Sequence, residues 1–154
     1  MTTTYVEVNP QLSTVAVGDT IQIAPIVQAR ANTATVTTQT LPPDAYQGIS
    51  ITAHKGFVLY SITSSAPAWV RLYADEASRT ADQNRARFAP PTANSGLIAE
   101  ANFVSAGTIN FTPGIYGYTI GASPSTTVYA AVTNTDTSNA SIGVSLQLLQ
   151  LEQD

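Results

Sequence analysis

The chain contains no cysteine. That excludes a disulfide framework, a thiolate metal site and a cysteine nucleophile, and it leaves stability to packing and hydrogen bonds. Cations are scarce as well: one lysine, Lys55, and five arginines face ten acids, for a net charge of −4. This balance argues against nucleic acid as a partner and against adhesion to anionic lipid. No apolar run approaches the ~18 residues of a membrane span. The opening "MTTTYVEVNP" has neither the basic start nor the apolar stretch of a signal peptide. The expectation is a protein made in the cytoplasm, with no membrane insertion.

What the chain does have is threonine, 22 residues of it, while only 10% of all residues are charged. A β-branched, neutral side chain fits the pleated face of a sheet. Period-two alternation follows along most of the chain, clearest where Ile142, Val144, Leu146 and Leu148 share one face against Ser141, Gly143, Ser145 and Gln147. Strands are predicted near 49–54, 56–63, 68–74, 97–104, 108–112, 115–120, 127–134 and 140–151, parted by turn signals such as "HKG", "SSAP", "AG", "PG" and "NTDTSN". After Leu148 the phase slips, which predicts a bulge or the end of regular pairing. The pattern predicts an all-β fold, an antiparallel sandwich or jelly roll, with one short helix near 75–85. Residues 1–47 differ in character. Val15, Val17, Ile21 and Ile23 alternate around Gly18-Asp19 as a hairpin, and 24–47 holds few large apolar side chains. We therefore expect an N-terminal arm or hairpin over 1–47 and the sandwich domain over 48–154.

Four of the five arginines fall within "WVRLYADEASRTADQNRAR", residues 69–87, beside three of the ten acids. Asp75 has the character of an N-cap, Glu76 and Arg79 stand at i,i+3, Asp75 and Arg79 at i,i+4, and Asp82 and Arg85 again at i,i+3. Thr80 to Gln83 has capping-box spacing. The spacing favours a self-paired helical crossover between strands. Arg71 alternates in phase with neither Val70 nor Leu72 and is the structural candidate. Arg85, Arg87 and Arg30 are the candidates for contact with another subunit or an acidic ligand. Tyr116 and Tyr118, near Gly114 and Gly117, are candidates for stacking a sugar.

Signals for catalysis are weak. His54, the one histidine, falls in a turn, and the adjacent Asp75 and Glu76 are explained by capping. Glycines are scattered singly, with no phosphate-cradling loop. No catalytic residue, metal site or cofactor is expected.

Residues 57–151 resemble a group of small β-sandwich structural proteins from the virions of tailed bacteriophages. The resemblance rests on the strand "SITSSAPAWVRLYA", the helical "ASRTADQNR", "GLIAE" after a proline-rich loop, and the terminal "VTNTDTSNASIGVSLQLLQLE". It implies a non-enzymatic virion protein assembled in several copies, as a trimer or other homo-oligomer, with other virion proteins as partners. It transfers no catalytic residues and does not extend to 1–47. A tail-associated role, as a short fibre or baseplate accessory, is the leading expectation. The alternatives are a capsid decoration (cement) protein and an adhesin module binding host surface polysaccharide.

Overall fold

A computed structural model describes residues 12–17, 20–25, 31–120 and 125–151. The chain divides into two compact units, 1–30 and 31–154. In the first, β1 (Leu12–Val17) pairs antiparallel with β2 (Thr20–Pro25), Val17 lying opposite Thr20, as the alternation around Gly18-Asp19 predicts. Arg30 lies outside the described residues.

Among its described residues the second unit holds eight strands and one helix. They are β3 (Ala31–Leu41), β4 (Tyr46–Thr52), β5 (Gly56–Ser64), β6 (Ala68–Tyr73), α1 (Glu76–Ala81), β7 (Leu97–Phe103), β8 (Gly107–Tyr118), β9 (Thr127–Asn134) and β10 (Ala140–Gln150). Two four-stranded antiparallel sheets result, the first ordered β3-β10-β5-β8 and the second β4-β9-β6-β7. The pairs β3·β10, β4·β9, β5·β8 and β6·β7 nest one inside the next, as though a single long hairpin had been folded over. Contacts β10·β5 and β6·β9 then complete each sheet. This is the jelly-roll order. Between the sheets Phe57, Leu59, Ile62, Val144, Leu146 and Leu148 meet Ile51, Val70, Leu72, Phe103, Val128 and Val132, all buried. The fold class predicted from the alternation is the one observed.

The structure places residues 31–47 differently from the composition. They form β3 and the start of β4, so the sandwich begins at Ala31 and not at 48. The reason is that the inward face of β3 packs at the margin of the core, where small side chains suffice. Ala34 and Val36 supply them, opposite Leu146 and Val144.

The "PG" at Pro113-Gly114 also departs from expectation, because it lies inside β8 and not between two strands. Leu59 pairs with Ile115 and Ser61 with Asn110, so 111–114 drop out of the ladder opposite Tyr60. Tyr60 is likewise skipped by β10, where Gln147 pairs with Ser61 and Leu148 with Leu59. The extra residue therefore sits on β5; β10 keeps its own phase through Leu148 and its pairing with β3 through Leu149, and it ends at Gln150, so the change of phase after Leu148 marks the end of regular pairing and not a bulge in β10.

Candidate functional site

Alternation along β6 sends Val70 and Leu72 into the core and Trp69, Arg71 and Tyr73 to the outer face of the second sheet. An outer face is ordinarily wet, yet all six residues of β6 are buried. The cover is α1 with the segment that follows it. The helix starts where Asp75, in extended conformation, accepts from Ser78 N at 2.8 Å through its side chain, as its N-cap character predicts. Arg79 then donates to Glu76 at 2.7 Å and to the Ile49 carbonyl at 3.2 Å, with its guanidinium 5.5 Å from the Tyr129 ring centroid. Gly48 makes room for it, since a Cβ there would lie 2.9 Å from the guanidinium.

Asp82 is the hub beneath this cover. Its carboxylate accepts from the Tyr73 hydroxyl, from Arg71 Nη1 at 3.2 Å and from Arg85 Nε at 2.9 Å, and its backbone carbonyl accepts from Arg71 Nη1 at 2.8 Å. Arg85 goes on to the Ala89 carbonyl at 2.7 Å and to Glu100 at 2.5 Å. The predicted Glu76–Arg79 and Asp82–Arg85 pairs both form. Asp75 caps the helix and makes no ion pair with Arg79 among the described contacts. Thr80 does not cap a second helix; its hydroxyl donates back to the Glu76 carbonyl.

Burial by itself would raise the pKa of Asp82. The hydrogen bonds from Tyr73 and Arg85 and the charges of Arg85 and Arg71 outweigh it, and the carboxyl is held below its ordinary value. Tyr73 moves the other way: burial first, then its bond to Asp82, push the phenol well above its usual range. For Arg85, burial opposes the charge, but the bonds to Glu100 and Asp82 win and fix the guanidinium as a cation. The network is therefore ionised, neutral at Tyr73 and locked.

Arg71 stacks on Trp69 with its guanidinium carbon 3.9 Å from the ring centroid, and Arg85 lies 5.0 Å from the same ring. Beside this stack opens a pocket of about 350 Å³ to which Asp44 and Tyr46 contribute from one side of the sequence, Gln83, Asn84 and Arg87 from the cover, and Thr133 from β9. The Tyr46 hydroxyl donates to Gln83 at 2.8 Å and ties β4 to the cover.

The residues singled out in the sequence fare unequally. Arg85 is turned inward, its side chain 6% exposed, because Glu100 on β7 and Asp82 draw it under the cover. Arg87 is exposed, donating through Nε to Asn102 at 3.2 Å and lying over Phe88. Tyr116 and Tyr118 are brought together, two residues apart on β8 and 76% and 64% exposed, beside a shallow groove that Leu97, Ile98 and Ile120 help line. Trp69, Tyr73 and Glu100 were missed as members of the arginine cluster. Their only sequence signal is phase: Arg71 and Glu100 occupy matching positions on strands whose pairing is known only after folding.

Among the described residues no group of three His, Asp or Glu side chains is placed to hold a metal ion, and no helix is long and apolar enough to cross a membrane. No known protein family, curated protein or solved structure matches the chain.

Proposed function

We propose that the chain is a non-enzymatic structural subunit of a tailed-phage virion, assembling in several copies as a tail-associated component. The observation that carries this reading is the first sheet. None of its four strands contains a charged residue, and its two edges, β3 and β8, run 11 and 12 residues. Monomeric proteins blunt edges of that length with charge, with proline or with bulges; β8 has Pro113 and a bulge, so β3, with neither charge nor proline, is the edge left suited to pairing. Depletion of charge also marks the core of a protein–protein interface. The outer face of the sheet is a neutral hydroxyl surface, where Thr35 meets Ser145 at 2.9 Å and Thr63 meets Thr108 at 2.8 Å. Such a face can be desolvated against another subunit with little cost in charge burial. The resemblance of 57–151 to phage sandwich proteins supplies the particle.

The test has two arms. Light scattering behind size exclusion is expected to give an oligomer for the full chain, and Ser145→Lys, at the centre of the neutral face, is expected to give a folded monomer. Density for this chain in images of the intact particle is expected at the tail. Icosahedral positions on the head would replace the tail role by that of a cement protein, and a monomer at assay concentrations would overturn the assembly reading.

A second reading is favoured by Tyr116 and Tyr118. Two exposed phenol rings at a groove offer a stacking platform, which supports an adhesin role toward host polysaccharide. Tyr116→Ala and Tyr118→Ala are expected to abolish saturable binding on a glycan array if this is so.

A further inference from the structure

The pocket beside Trp69 has chemistry that assembly does not use. Two of its lining residues are nine-tenths or more buried and keep a donor unpaired: Trp69, 3% exposed, through Nε1, and Arg71, 1% exposed, through Nε. Both of these atoms are sealed from solvent, so the free bonding capacity of the pocket lies with its more exposed side chains. The charged lining residues divide clearly. Arg85 is saturated by Asp82, Glu100 and the Ala89 carbonyl, whereas Arg87 makes no ion pair among the described residues and spends only Nε on the protein. Its two terminal nitrogens are a fork suited to a carboxylate. Asp44, on the turn between β3 and β4, reaches the same pocket with an acceptor. A bare polyanion such as phosphate would meet that carboxylate unfavourably, while a molecule carrying both a carboxylate and hydroxyls would satisfy Arg87 and Asp44 together. Gln83 and Asn84 have amides that both donate and accept, as neighbouring sugar hydroxyls require. The volume stands near the lower end of the ~300–1,000 Å³ of small-ligand sites.

We propose that this pocket binds a hydroxylated carboxylate the size of a single sugar acid, its carboxylate on Arg87 and its hydroxyls on Asp44, Gln83 and Asn84. The site is separate from the Tyr116–Tyr118 groove and does not depend on how the chain assembles.

The chain has one tryptophan, so a ¹H–¹⁵N spectrum of the full chain contains a single indole N–H signal, and that signal comes from a residue lining the pocket. Titration with D-glucuronate is expected to move it saturably, with D-glucose and acetate at least tenfold weaker. Arg87→Gln, at an exposed position, is expected to weaken glucuronate about tenfold, the ratio that 1.4 kcal/mol gives. Tyr116→Ala is expected to leave the titration unchanged. An indole signal that glucuronate does not move, equal response to glucose or acetate, or an Arg87→Gln titration matching the parent would overturn the proposal. So would loss of binding in Tyr116→Ala, which would assign the sugar to the tyrosine groove.

Discussion

The Tyr73 hydroxyl, on β6, donates to the Asp82 carboxylate, on the segment after α1, and both side chains are buried. Through this bond the outer face of the second sheet is sealed by its own crossover. The same carboxylate holds Arg71 and Arg85, and with Glu100 on Arg85 two acids balance two cations.

Removing the hub therefore leaves the buried Arg71 without a counter-ion and Arg85 with Glu100 alone. Asp82→Ala is expected to lose about 3–5 kcal/mol, the usual effect of breaking a buried ion pair from one side. Tyr73→Phe removes one hydrogen bond and keeps the packing, for about 1–2 kcal/mol. Urea denaturation followed by Trp69 fluorescence measures both. A loss below about 1 kcal/mol for Asp82→Ala would mean that the network is ornamental to stability.

The two shifted acids predict opposite pH legs. Asp82 has a folded pKa below its unfolded value of about 3.9, so its contribution is complete above that pH and is lost as pH falls through the folded value. Tyr73 has a folded pKa above its unfolded value of about 10. Its contribution is complete below that pH and is lost as pH rises beyond it. Urea midpoints between pH 9 and 11 are expected to fall for the parent and to stay flatter for Tyr73→Phe; parallel slopes would contradict the assignment.

Sequence reasoning reaches as far as local spacing does. The alternation of β10, the cap at Asp75 and the i,i+3 pairs are contacts between residues a few positions apart, and each is visible without knowing the fold. Arg71 with Asp82, Tyr73 with Asp82, and Arg85 with Glu100 are separated by 9 to 15 residues, so their meeting depends on how the crossover folds back on the sheet. That is why the sequence, which shows only the Asp82 pair, offers Arg85 for an outside contact while the fold buries it. The strand β3 is obscured for a different reason: its inward positions hold Ala34, Val36 and Thr38, too small or too polar to stand out until Val144 and Leu146 are set against the first two.

Arg79 and Arg87 separate structure from surface. Arg79 packs over Gly48 and Tyr129 and donates to a β4 carbonyl, so Arg79→Ala is expected to cost about 1–2 kcal/mol through lost packing and one charged hydrogen bond. Arg87→Ala is expected to stay within about 0.5 kcal/mol. At roughly 2–4 °C per kcal/mol for a domain of this size, melting curves resolve the difference. Equal losses would remove the distinction between a strut and a surface cation.

Gly96 tests how tightly the crossover is shut. Its φ of +65° lies in the left-handed region, and a Cβ there would come within 2.2 Å of Ser78 Oγ. Ser78 cannot easily yield, because Asp75 holds both its backbone N–H and its hydroxyl at 2.8 Å. The left-handed conformation alone costs an L-residue about 1–2 kcal/mol, and the clash adds to it, so Gly96→Ala is expected to lose about 2–4 kcal/mol. Gly107, at the start of β8, has nothing within 4 Å of the same added atom, and Gly107→Ala is expected to be neutral or to gain a few tenths of a kcal/mol from a stiffer unfolded chain. Denaturant midpoints compare the two directly. If Gly96→Ala were as harmless as Gly107→Ala, the Asp75–Ser78 cap would be free to move, and α1 would be a loose lid over the second sheet instead of a fixed cover.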